Sequence, residues 1–368
     1  MKKEIVLLIG GGHTHALVLK EWAKQPLPHM ELHVFDPQPK VAYTGMLPGF
    51  VSGHYKFDDL LIDLQALTKA AGGTFHEMAV EMVDPISQTI KTKSETFSFD
   101  IISFDVGVYS AAKSFPGSSE HGVGVKPLTP FAHRWQSFVS NHVHANSSAR
   151  VVVIGGGVAG VEVALAMAYR LRYETGRFHK ITIIEHGELL SAVSLGTKRT
   201  LINALKKHKV EIRTQETVQC LTRSAVLLDG APALASDLVL MATGPQPYDW
   251  VSEIGLPVTN GYIDVDATLR SPKYPRMFAV GDCAHFLPRP LPKAGVYAVR
   301  EAQILHHNIC GLVNHTKLRS YEPQNDYLKL ISLGEKRAVA DKWGLTISGL
   351  WLWKLKDRID ERFMSQFG

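Results

Sequence analysis

The sequence predicts an α/β fold made of two similar three-layer units, the second inserted in the first, followed by a small α+β region. Three observations predict this fold. The order strand, glycine turn, helix, strand, acidic residue occurs twice; both copies close with a similar Asp-to-Gly segment; and 368 residues, at roughly 150 per domain, leave room for two to three domains. The predicted boundaries are 1–110 with 245–310 for the first unit, 111–244 for the second and 311–368 for the C-terminal region.

The first copy starts with an apolar run, Glu4 to Ile9, that leads into three glycines. A helix-compatible stretch follows, and then a second strand ends the pattern with an acidic residue. The third position of the turn pattern holds a histidine, which puts an imidazole where the helix should pack closely on the strand. The candidate binding residues of this copy are Gly10, Gly12, His13, Thr14, His15 and Asp36.

The second copy follows the pattern Gly-x-Gly-x-x-Gly without exception. The apolar run 150–154 leads into the glycines, a helical stretch follows, and a strand ending at Ile184 delivers an acid 25 residues past the last glycine. The candidate binding residues of this copy are Gly155, Gly157, Gly160 and Glu185.

These residue types have a physical reason. One glycine makes the tight turn, one lets the backbone approach a pyrophosphate, and one lets the helix pack on the strand, while the helix N-terminus attracts the anion. The acid accepts hydrogen bonds from ribose hydroxyls and repels a 2′-phosphate. Glu185 is followed by His186 rather than by arginine, which favours NADH over NADPH. Both copies are therefore predicted to be Rossmann-like dinucleotide-binding domains.

Each copy ends in a segment of shared form: Asp, two branched or leucine-type residues, four more residues and Gly. These segments are 100–107 and 237–244, so that Gly107 and Gly244 hold equivalent positions. The distance from the first to the last glycine is 97 residues in one copy and 89 in the other. The repeated units are therefore whole domains rather than short solenoid repeats.

A third element, residues 277–284, is a short strand that ends in Gly281 and Asp282. Together with the two repeats it resembles the two-dinucleotide-binding-domain flavoproteins of the pyridine nucleotide–disulfide oxidoreductase superfamily. The resemblance covers roughly residues 1–310. It implies that the first copy binds FAD, that the second binds NAD(P)H, and that Asp282 hydrogen-bonds the ribityl chain of the flavin.

Within this superfamily the chain is more similar to type II NADH dehydrogenases than to disulfide reductases. Segments 10–15, 43–49 and 293–300 look most like the branch that also occurs fused ahead of selenide, water dikinase. By the same resemblance, Glu162 lies near the nicotinamide and the flavin. The alternative for Glu162 is a helix residue that balances local charge.

A disulfide reductase needs a thiolate pair beside the flavin. The only cysteines are Cys220, Cys283 and Cys310, and none precedes the closing glycine of the first copy. The segment 43–49, where such reductases carry their redox pair, offers Met46 and hydroxyl side chains instead. Hydride transfer from NADH to the flavin, followed by electron delivery to a small acceptor such as a quinone, is the chemistry that remains.

Two further residues are candidates for contact with the flavin. Lys293 and Ala294 follow a proline-rich loop and open a helix-like stretch. A helix N-terminus and a lysine at the pyrimidine edge would stabilise the negative charge of the reduced ring. A surface lysine in a turn is the alternative.

Charge and composition argue against other partner classes. The chain has 40 Lys and Arg against 35 Asp and Glu without a long charged run, which argues against nucleic acid. The cysteines form no CxxC pair, and the close histidine pairs lack the companions of a metal site, so no metal is predicted. Three cysteines without a CxxC pair make a reducing cytoplasm the simplest predicted compartment. The N-terminal apolar run is too short for a signal peptide, and no transmembrane helix is expected.

The C-terminal region contains two expected elements. Residues 327–341 predict a hairpin. Residues 349–367 predict an amphipathic helix with Leu352, Leu355, Ile359 and Phe363 on one face and Trp351 beside it. The alternatives for this face are the inner membrane surface, the helix's own domain and a partner copy in a homodimer.

Three functional hypotheses follow. The first is an FAD-dependent NADH dehydrogenase that reduces a quinone or a similar small acceptor. The second is a flavoprotein acting on selenium or sulfur species in selenophosphate metabolism. The third is a non-catalytic flavoprotein that senses NADH.

Overall fold

The computed structural model of the chain describes residues 3–26, 28–110, 115–145 and 147–368. The predicted start of the second unit at residue 111 lies outside these described residues. Numbered in chain order, the helices are α1 (His13–Lys24), α2 (Leu47–Val51), α3 (Leu64–Ala70), α4 (Ser118–His121), α5 (Leu128–His144), α6 (Val158–Thr175), α7 (Leu195–Lys207), α8 (Gly295–Val313) and α9 (Leu350–Met364).

The first unit is built on a parallel sheet. In the described part of the chain its strands are β1 (Glu4–Ile9), β2 (Met30–Asp36), β5 (Thr74–Glu77), β9 (Ile101–Phe104) and β22 (Met277–Ala279). Their spatial order is β22-β9-β1-β2-β5, and neighbouring strands run parallel. Val6, Leu7 and Leu8 of the central strand are all fully buried, as expected for a sheet covered on both faces. Since β22 belongs to this sheet, the chain leaves it after β9 and returns more than 170 residues later.

The second unit repeats this plan. Its sheet consists, among the described residues, of β11 (Gly122–Gly124), β12 (Arg150–Ile154), β13 (Lys180–Glu185), β14 (Glu211–Thr214) and β18 (Leu238–Met241). The order is β11-β18-β12-β13-β14, again parallel. In both sheets the strand that leads into the glycines is central and the strand that ends in the acid lies beside it. The predicted α/β class with two Rossmann-like units is confirmed.

Small sheets complete the two units and the C-terminal region. An antiparallel meander precedes the closing strand in both units. The remaining strands are β3 (Lys40–Ala42) with β4 (Leu61–Asp63); β6 (Val80–Asp84), β7 (Thr89–Thr92) and β8 (Thr96–Ser98); β10 (Tyr109–Ser110) with β19 (Pro245–Gln246); β15 (Val218–Leu221), β16 (Ala225–Leu228) and β17 (Ala231–Ala235); β20 (Val258–Thr259), β21 (Tyr262–Val265) and β23 (Ala284–Phe286); and β24 (Lys329–Ser332), β25 (Ala338–Lys342) and β26 (Leu345–Gly349).

The two segments that connect the units lie side by side. β10 carries the chain out of the first unit and β19 brings it back, and the two strands pair antiparallel, with Tyr109 opposite Gln246 and Ser110 opposite Pro245. Both connections therefore pass through one junction.

The C-terminal region contains the predicted hairpin. β24 and β25 pair antiparallel, with Lys329 opposite Asp341, and β26 extends this sheet. The hairpin prediction is confirmed. None of the helices in the described part of the chain is both long enough and apolar enough to cross a lipid bilayer.

Candidate functional site

A cavity of about 630 Å³ lies at the carboxyl ends of the strands of the first sheet. Its wall includes four residues that lie at the ends of strands of that sheet or within two residues of them: Gly10, Asp36, Asp105 and Gly281. Ligands of open parallel sheets bind at this edge. The volume falls within the range of about 300–1,000 Å³ that small-molecule sites occupy. Gly107, where an added Cβ would meet open space, also lines the cavity.

The first glycine turn brings the acid of β2 to the start of α1. Gly10 has φ +86°, and a Cβ there would lie 2.5 Å from the carbonyl oxygen of Asp105, so only glycine fits. One carboxylate oxygen of Asp36 accepts a hydrogen bond from the N–H of Gly11 at 2.8 Å. The turn and the predicted ribose-binding acid are therefore one connected unit.

Asp105 is a site residue that the sequence pattern did not identify. Its carboxylate accepts a hydrogen bond from the N–H of His15 at 3.0 Å, and a Cβ on Gly12 would lie 2.1 Å from one of its oxygens. Burial, together with the nearby Glu301 and Asp282 carboxylates, raises the pKa of Asp105 to about 8. The indication in the sequence was an acid two residues before Gly107, immediately after the buried strand β9.

His15 and Thr14 lie inside the protein rather than on the cavity wall. The two ring nitrogens of His15 contact the Gly10 carbonyl oxygen at 2.7 Å and the Ser103 hydroxyl at 2.8 Å, and burial lowers its pKa to about 4. The Thr14 hydroxyl donates to the Ala298 carbonyl at 2.9 Å. The imidazole thus fills the space between the turn and β9, because β9 carries only a small serine there.

Three helices begin at the cavity. His13 at the start of α1, Leu128 at the start of α5 and Gly295 at the start of α8 all line it. Helix N-termini carry partial positive charge and free N–H groups, so they favour an anionic ligand. Ala294, the residue before α8, lines a small adjoining recess instead.

Two lysines and Asp282 occupy the same wall. Lys126 Nζ lies 2.6 Å from a carboxylate oxygen of Asp282, a contact that the sequence analysis missed because the residues are 156 positions apart. Lys293 Nζ donates to the Ala284 carbonyl at 2.5 Å and lies 4.0 Å from the ring centre of Tyr262. Burial lowers the pKa of Lys293.

His13 lies between this wall and the C-terminal helix. Its ring centre is 5.3 Å from that of Tyr43 and 6.0 Å from that of Phe363. Burial, and then the charge of Lys126, lower its pKa to about 4. The imidazole is therefore neutral at pH 7.

The Met46 side chain lies away from the cavity. It is buried in the second hydrophobic core together with Leu47 and Phe50, and Thr44 lines the cavity instead. Met46, a predicted cofactor-contact residue of segment 43–49, does not line this cavity, because the short helical turn over 44–46 directs its side chain inward. Two aromatic lining residues that the sequence analysis missed, Tyr248 and Trp250, follow the junction strand β19.

The second glycine turn has the geometry of the first. Gly155 has φ +113°, and a Cβ on Gly160 would lie 2.0 Å from the Gly155 carbonyl oxygen. The Glu185 carboxylate accepts a hydrogen bond from the N–H of Gly156 at 2.6 Å, as Asp36 does in the first unit. A Cβ on Gly157, or on Gly244 with its φ of +101°, would instead meet open space. The open side of the turn is where a phosphate can approach the backbone.

Glu162 on α6 contacts the C-terminal region. Its carboxylate accepts a hydrogen bond from the N–H of Ser332 at 2.6 Å. Burial raises its pKa to about 7, while the nearby Lys356 opposes this shift. The pKa is thus close to neutral pH, which is a property of groups that exchange protons during catalysis.

α9 closes over this region with polar residues. Lys356 Nζ lies 2.6 Å from the Asp360 carboxylate and 2.7 Å from the Gly45 carbonyl oxygen. The Tyr43 hydroxyl donates to Asp360 at 3.2 Å, and the Tyr43 ring stacks on Phe363 at 4.3 Å. The Lys356–Asp360 ion pair of α9 is therefore largely buried.

The predicted apolar face of α9 is divided in two. Leu352 and Phe363 are buried, whereas Leu355 and Ile359 are 37% and 46% exposed and Trp351 is 55% exposed. The predicted amphipathic helix is confirmed as α9, and Lys356 and Asp360 occupy the inward side between its two buried apolar residues. Trp351, Leu355 and Ile359, spaced four residues apart, form an exposed row.

The buried Cys283 and the potential metal ligands among the described residues form neither a redox-active thiol site nor a metal site. Cys283 is buried, its thiol lies 3.2 Å from the Val280 carbonyl oxygen, and burial raises its pKa to about 12. Across the described ranges, no three His, Cys, Asp or Glu side chains come together as metal ligands.

Known proteins resemble the chain over nearly its whole length. Residues 6–302 match the Pyridine nucleotide-disulphide oxidoreductase family. A demethylphylloquinone reductase, NdbB, of Synechocystis sp. is 23% identical over 94% of this chain and 88% of its own length. The type II NADH:quinone oxidoreductase of Staphylococcus saprophyticus is 20% identical over 99% of this chain and 96% of its own.

Solved structures share the fold. NDH2 from Plasmodium falciparum, in complex with NADH, superposes with a TM-score of 0.84 at 16% identity and covers 100% of this chain and 98% of that one. The sulfide:quinone oxidoreductase of Aquifex aeolicus gives a TM-score of 0.82 at 18% identity over 99% and 91% of the two chains. The family match covers well over half of the sequence. The chain is therefore an oxidoreductase and belongs to the pyridine nucleotide-disulphide oxidoreductase family.

Proposed function

We propose that this protein is an FAD-dependent NADH dehydrogenase that delivers electrons to a quinone or a similar small acceptor without a redox disulfide. The observation that carries the proposal is the cavity of about 630 Å³ onto which three helix N-termini open. Among the described residues that line it there is no cysteine. The site therefore suits an extended anionic dinucleotide, and it offers no thiol to accept electrons.

The residues of the first unit suit FAD. In this proposal the turn at Gly10 and Gly12 and the start of α1 hold the pyrophosphate, and Asp36 binds the ribose of the adenosine. Asp282 faces the ribityl chain, and Lys293 with the start of α8 faces the flavin ring. The open space beside Gly107 leaves room for the cofactor.

The residues of the second unit suit NADH. The turn from Gly155 to Gly160 would hold its pyrophosphate, since the space beside Gly157 is open. Glu185 would bind the adenosine ribose, and its negative charge disfavours the 2′-phosphate of NADPH. Gly244 lies at the equivalent edge of this sheet, with open space beside it.

Bound flavin supplies the two-electron chemistry, since it accepts a hydride from NADH and returns electrons to the acceptor. The protein's part is to position the partners and to hold protons. Glu162, with a pKa of about 7, holds a proton that can be passed to the reduced acceptor. Lys356 and Asp360 on α9 lie near Glu162, and their charges make the surroundings of its carboxyl group polar.

Cysteine chemistry does not contribute to this function. Cys283 has a strongly raised pKa, so its thiol does not ionise near neutral pH, and the thiolate is the form that reacts. No cysteine among the described lining residues could therefore relay electrons from a bound flavin. This favours a diffusible acceptor such as the quinones named for the relatives from Synechocystis and Staphylococcus.

We propose further that the acceptor is reached at a membrane surface, which α9 would contact. Trp351, Leu355 and Ile359 are exposed in one row, and Arg358 and Arg362 lie on the same helix. Tryptophan and cations beside an apolar row are typical of helices that lie at a membrane interface. The proposal places the protein at the inner membrane surface, in contact through residues 349–367.

Replacing Trp351, Leu355 and Ile359 together with serine is expected to lower binding to lipid vesicles at least about tenfold, because each side chain loses apolar area that would be buried in lipid. Vesicle flotation measures this binding. The control is Ile86→Ser, since Ile86 is 85% exposed in the first unit. Equal flotation of the triple variant and the wild type would contradict membrane contact through this row, and a dimer that the triple variant dissociates would assign the row to a partner copy.

The proposed function is tested by an anaerobic titration of purified protein. We expect a bound-flavin spectrum that NADH bleaches rapidly and NADPH bleaches much more slowly, because Glu185 repels the 2′-phosphate. Multiple turnovers with a soluble quinone should follow. Protein that purifies without flavin and does not take up added FAD would refute the proposal.

The two alternatives stay predictions. A role in selenophosphate metabolism requires NADH oxidation that depends on a selenium or sulfur compound. A sensor requires slow turnover with every acceptor together with tight NADH binding.

A further inference from the structure

A segment associated with the second unit reaches into the cavity of the first. β11 is an edge strand of the second sheet, and residues 126–130, which follow it and start α5, line the flavin cavity. The cavity is therefore not made by the first unit alone. Its wall carries one cation from this segment, Lys126.

The backbone of Lys126 is held on both sides. Its N–H donates to the Ser110 hydroxyl at 3.0 Å, and its carbonyl oxygen accepts a hydrogen bond from the Ser110 N–H at 3.1 Å. Ser110 lies in the junction strand β10. Lys126 is thus fixed next to the point where the chain passes between the two units.

The ammonium group of Lys126 lies beside acidic side chains. Its Nζ lies 2.6 Å from the Asp282 carboxylate, and the side chains of this pair are only 33% and 15% exposed. Two further carboxyl groups, Asp105 and Glu301, have pKa values raised mainly by burial, and the charge of Asp282 adds to both shifts. The ammonium group of Lys126 is therefore the direct partner of Asp282 on the cavity wall.

The two other basic side chains at this wall, His13 and Lys293, do not pair with Asp282 as Lys126 does. His13 has a pKa lowered to about 4 and is neutral at pH 7. Lys293 donates to the Ala284 carbonyl and lies over the Tyr262 ring. A positive charge at this wall stabilises an adjacent anion more strongly than the same charge would in water, because the site is partly desolvated.

We propose that Lys126 is a positioning residue for the flavin, which holds the Asp282 carboxylate against the cavity wall and favours the reduced, more negative cofactor over the oxidised one. This inference rests on the proposed function. The reduction potential of a flavin in the first unit would then depend on Lys126, which belongs to the segment that follows β11 of the second unit.

The test is Lys126→Met, which keeps the length of the stem and removes the charge. The variant is expected to bind FAD about tenfold more weakly and to lower the affinity for reduced flavin, relative to oxidised flavin, by a further factor of about ten. For a two-electron couple this factor lowers the midpoint potential by about 30 mV. Lys126→Arg, which restores a cation, should return both values towards those of the wild type.

The matched control is Lys207→Met, since Lys207 also pairs with a carboxylate at 2.6 Å, on the surface away from the cavity. Flavin affinity is measured by reconstitution and the potential by anaerobic dye equilibration, while the thermal unfolding of the flavin-free protein reports the fold. An unchanged potential in Lys126→Met, or equal potentials in the Met and Arg variants, would overturn the inference. Wild-type protein without flavin would refute the proposed function instead, so the two failures are distinguishable.

Discussion

Gly157→Ala is expected to lower the rate of flavin reduction by NADH at least about a hundredfold while leaving the protein folded and its flavin bound. The added methyl group would occupy the open side of the second turn, where no protein atom lies within 4 Å. The residue has φ −69°, which alanine adopts without strain. The methyl group therefore costs little in the protein alone, but it displaces the pyrophosphate, and displacements of about 1 Å can cost a hundredfold in rate.

Stopped-flow reduction under anaerobic conditions measures this effect, and thermal unfolding reports the fold. The matched control is Gly176→Ala at the other end of the same helix. Gly176 has φ +72° and open space beside it, so alanine there should destabilise the protein by about 1 kcal/mol or more and leave reduction by NADH unchanged. Normal reduction in Gly157→Ala would show that the dinucleotide does not approach this turn.

Glu162→Gln is expected to lower turnover with a quinone by about a hundredfold and to remove the pH dependence near neutrality. Glutamine keeps the shape and the hydrogen bond from the Ser332 N–H, but it cannot exchange a proton. General acid catalysis typically contributes a factor of about 10²–10⁴. Since the pKa of Glu162 is raised to about 7, wild-type turnover should fall as the pH rises above 7 and the carboxyl group loses its proton.

The same substitution has a second readout in stability. The folded chain holds the Glu162 proton more tightly than the unfolded chain, so the stability associated with this proton is full below about pH 4 and is lost as the pH rises through about 7. The unfolding temperature of Glu162→Gln, relative to that of the wild type, should therefore rise between pH 5 and pH 8, because only the wild type loses stability as Glu162 loses its proton. The control is Glu174→Gln on the same helix, where Glu174 pairs with Arg170 at the surface. Turnover of Glu162→Gln within twofold of the wild type would exclude a proton-transfer role.

The glycines and acids of the two turns could be predicted because their function depends on local sequence. A tight turn with positive φ requires glycine at Gly10 and Gly155 whatever surrounds it, and the acid that ends the next strand meets the turn because parallel neighbours end at the same edge. Both acids do reach the turns, at Gly11 and Gly156. These contacts follow from strand order alone.

Other residues depend on partners that are distant in sequence. His15 replaces the usual glycine because Ser103, on another strand, leaves space for an imidazole. Lys126 meets Asp282 only after the chain has passed through the second unit. Such pairs carry no local periodicity, so one sequence does not reveal them.

The orientation of α9 could not be predicted for a different reason. A row of Leu352, Leu355, Ile359 and Phe363 is apolar along the helix, but periodicity alone does not determine what this row contacts. The contacts of Lys356 with Gly45 and Asp360 turn the helix so that part of this row faces outward. Polar contacts to another segment therefore determined the rotation of the helix.

The paired strands β10 and β19 have a consequence for how such a chain arises. Both ends of the inserted unit meet at one place, with Ser110 opposite Pro245, so the insertion separates the first unit in sequence but not in space. A duplicated gene segment could enter at this point without disturbing the sheet that receives it, since termini that lie close together tolerate insertion. The geometry of the junction therefore fits an origin of the second unit by duplication and insertion.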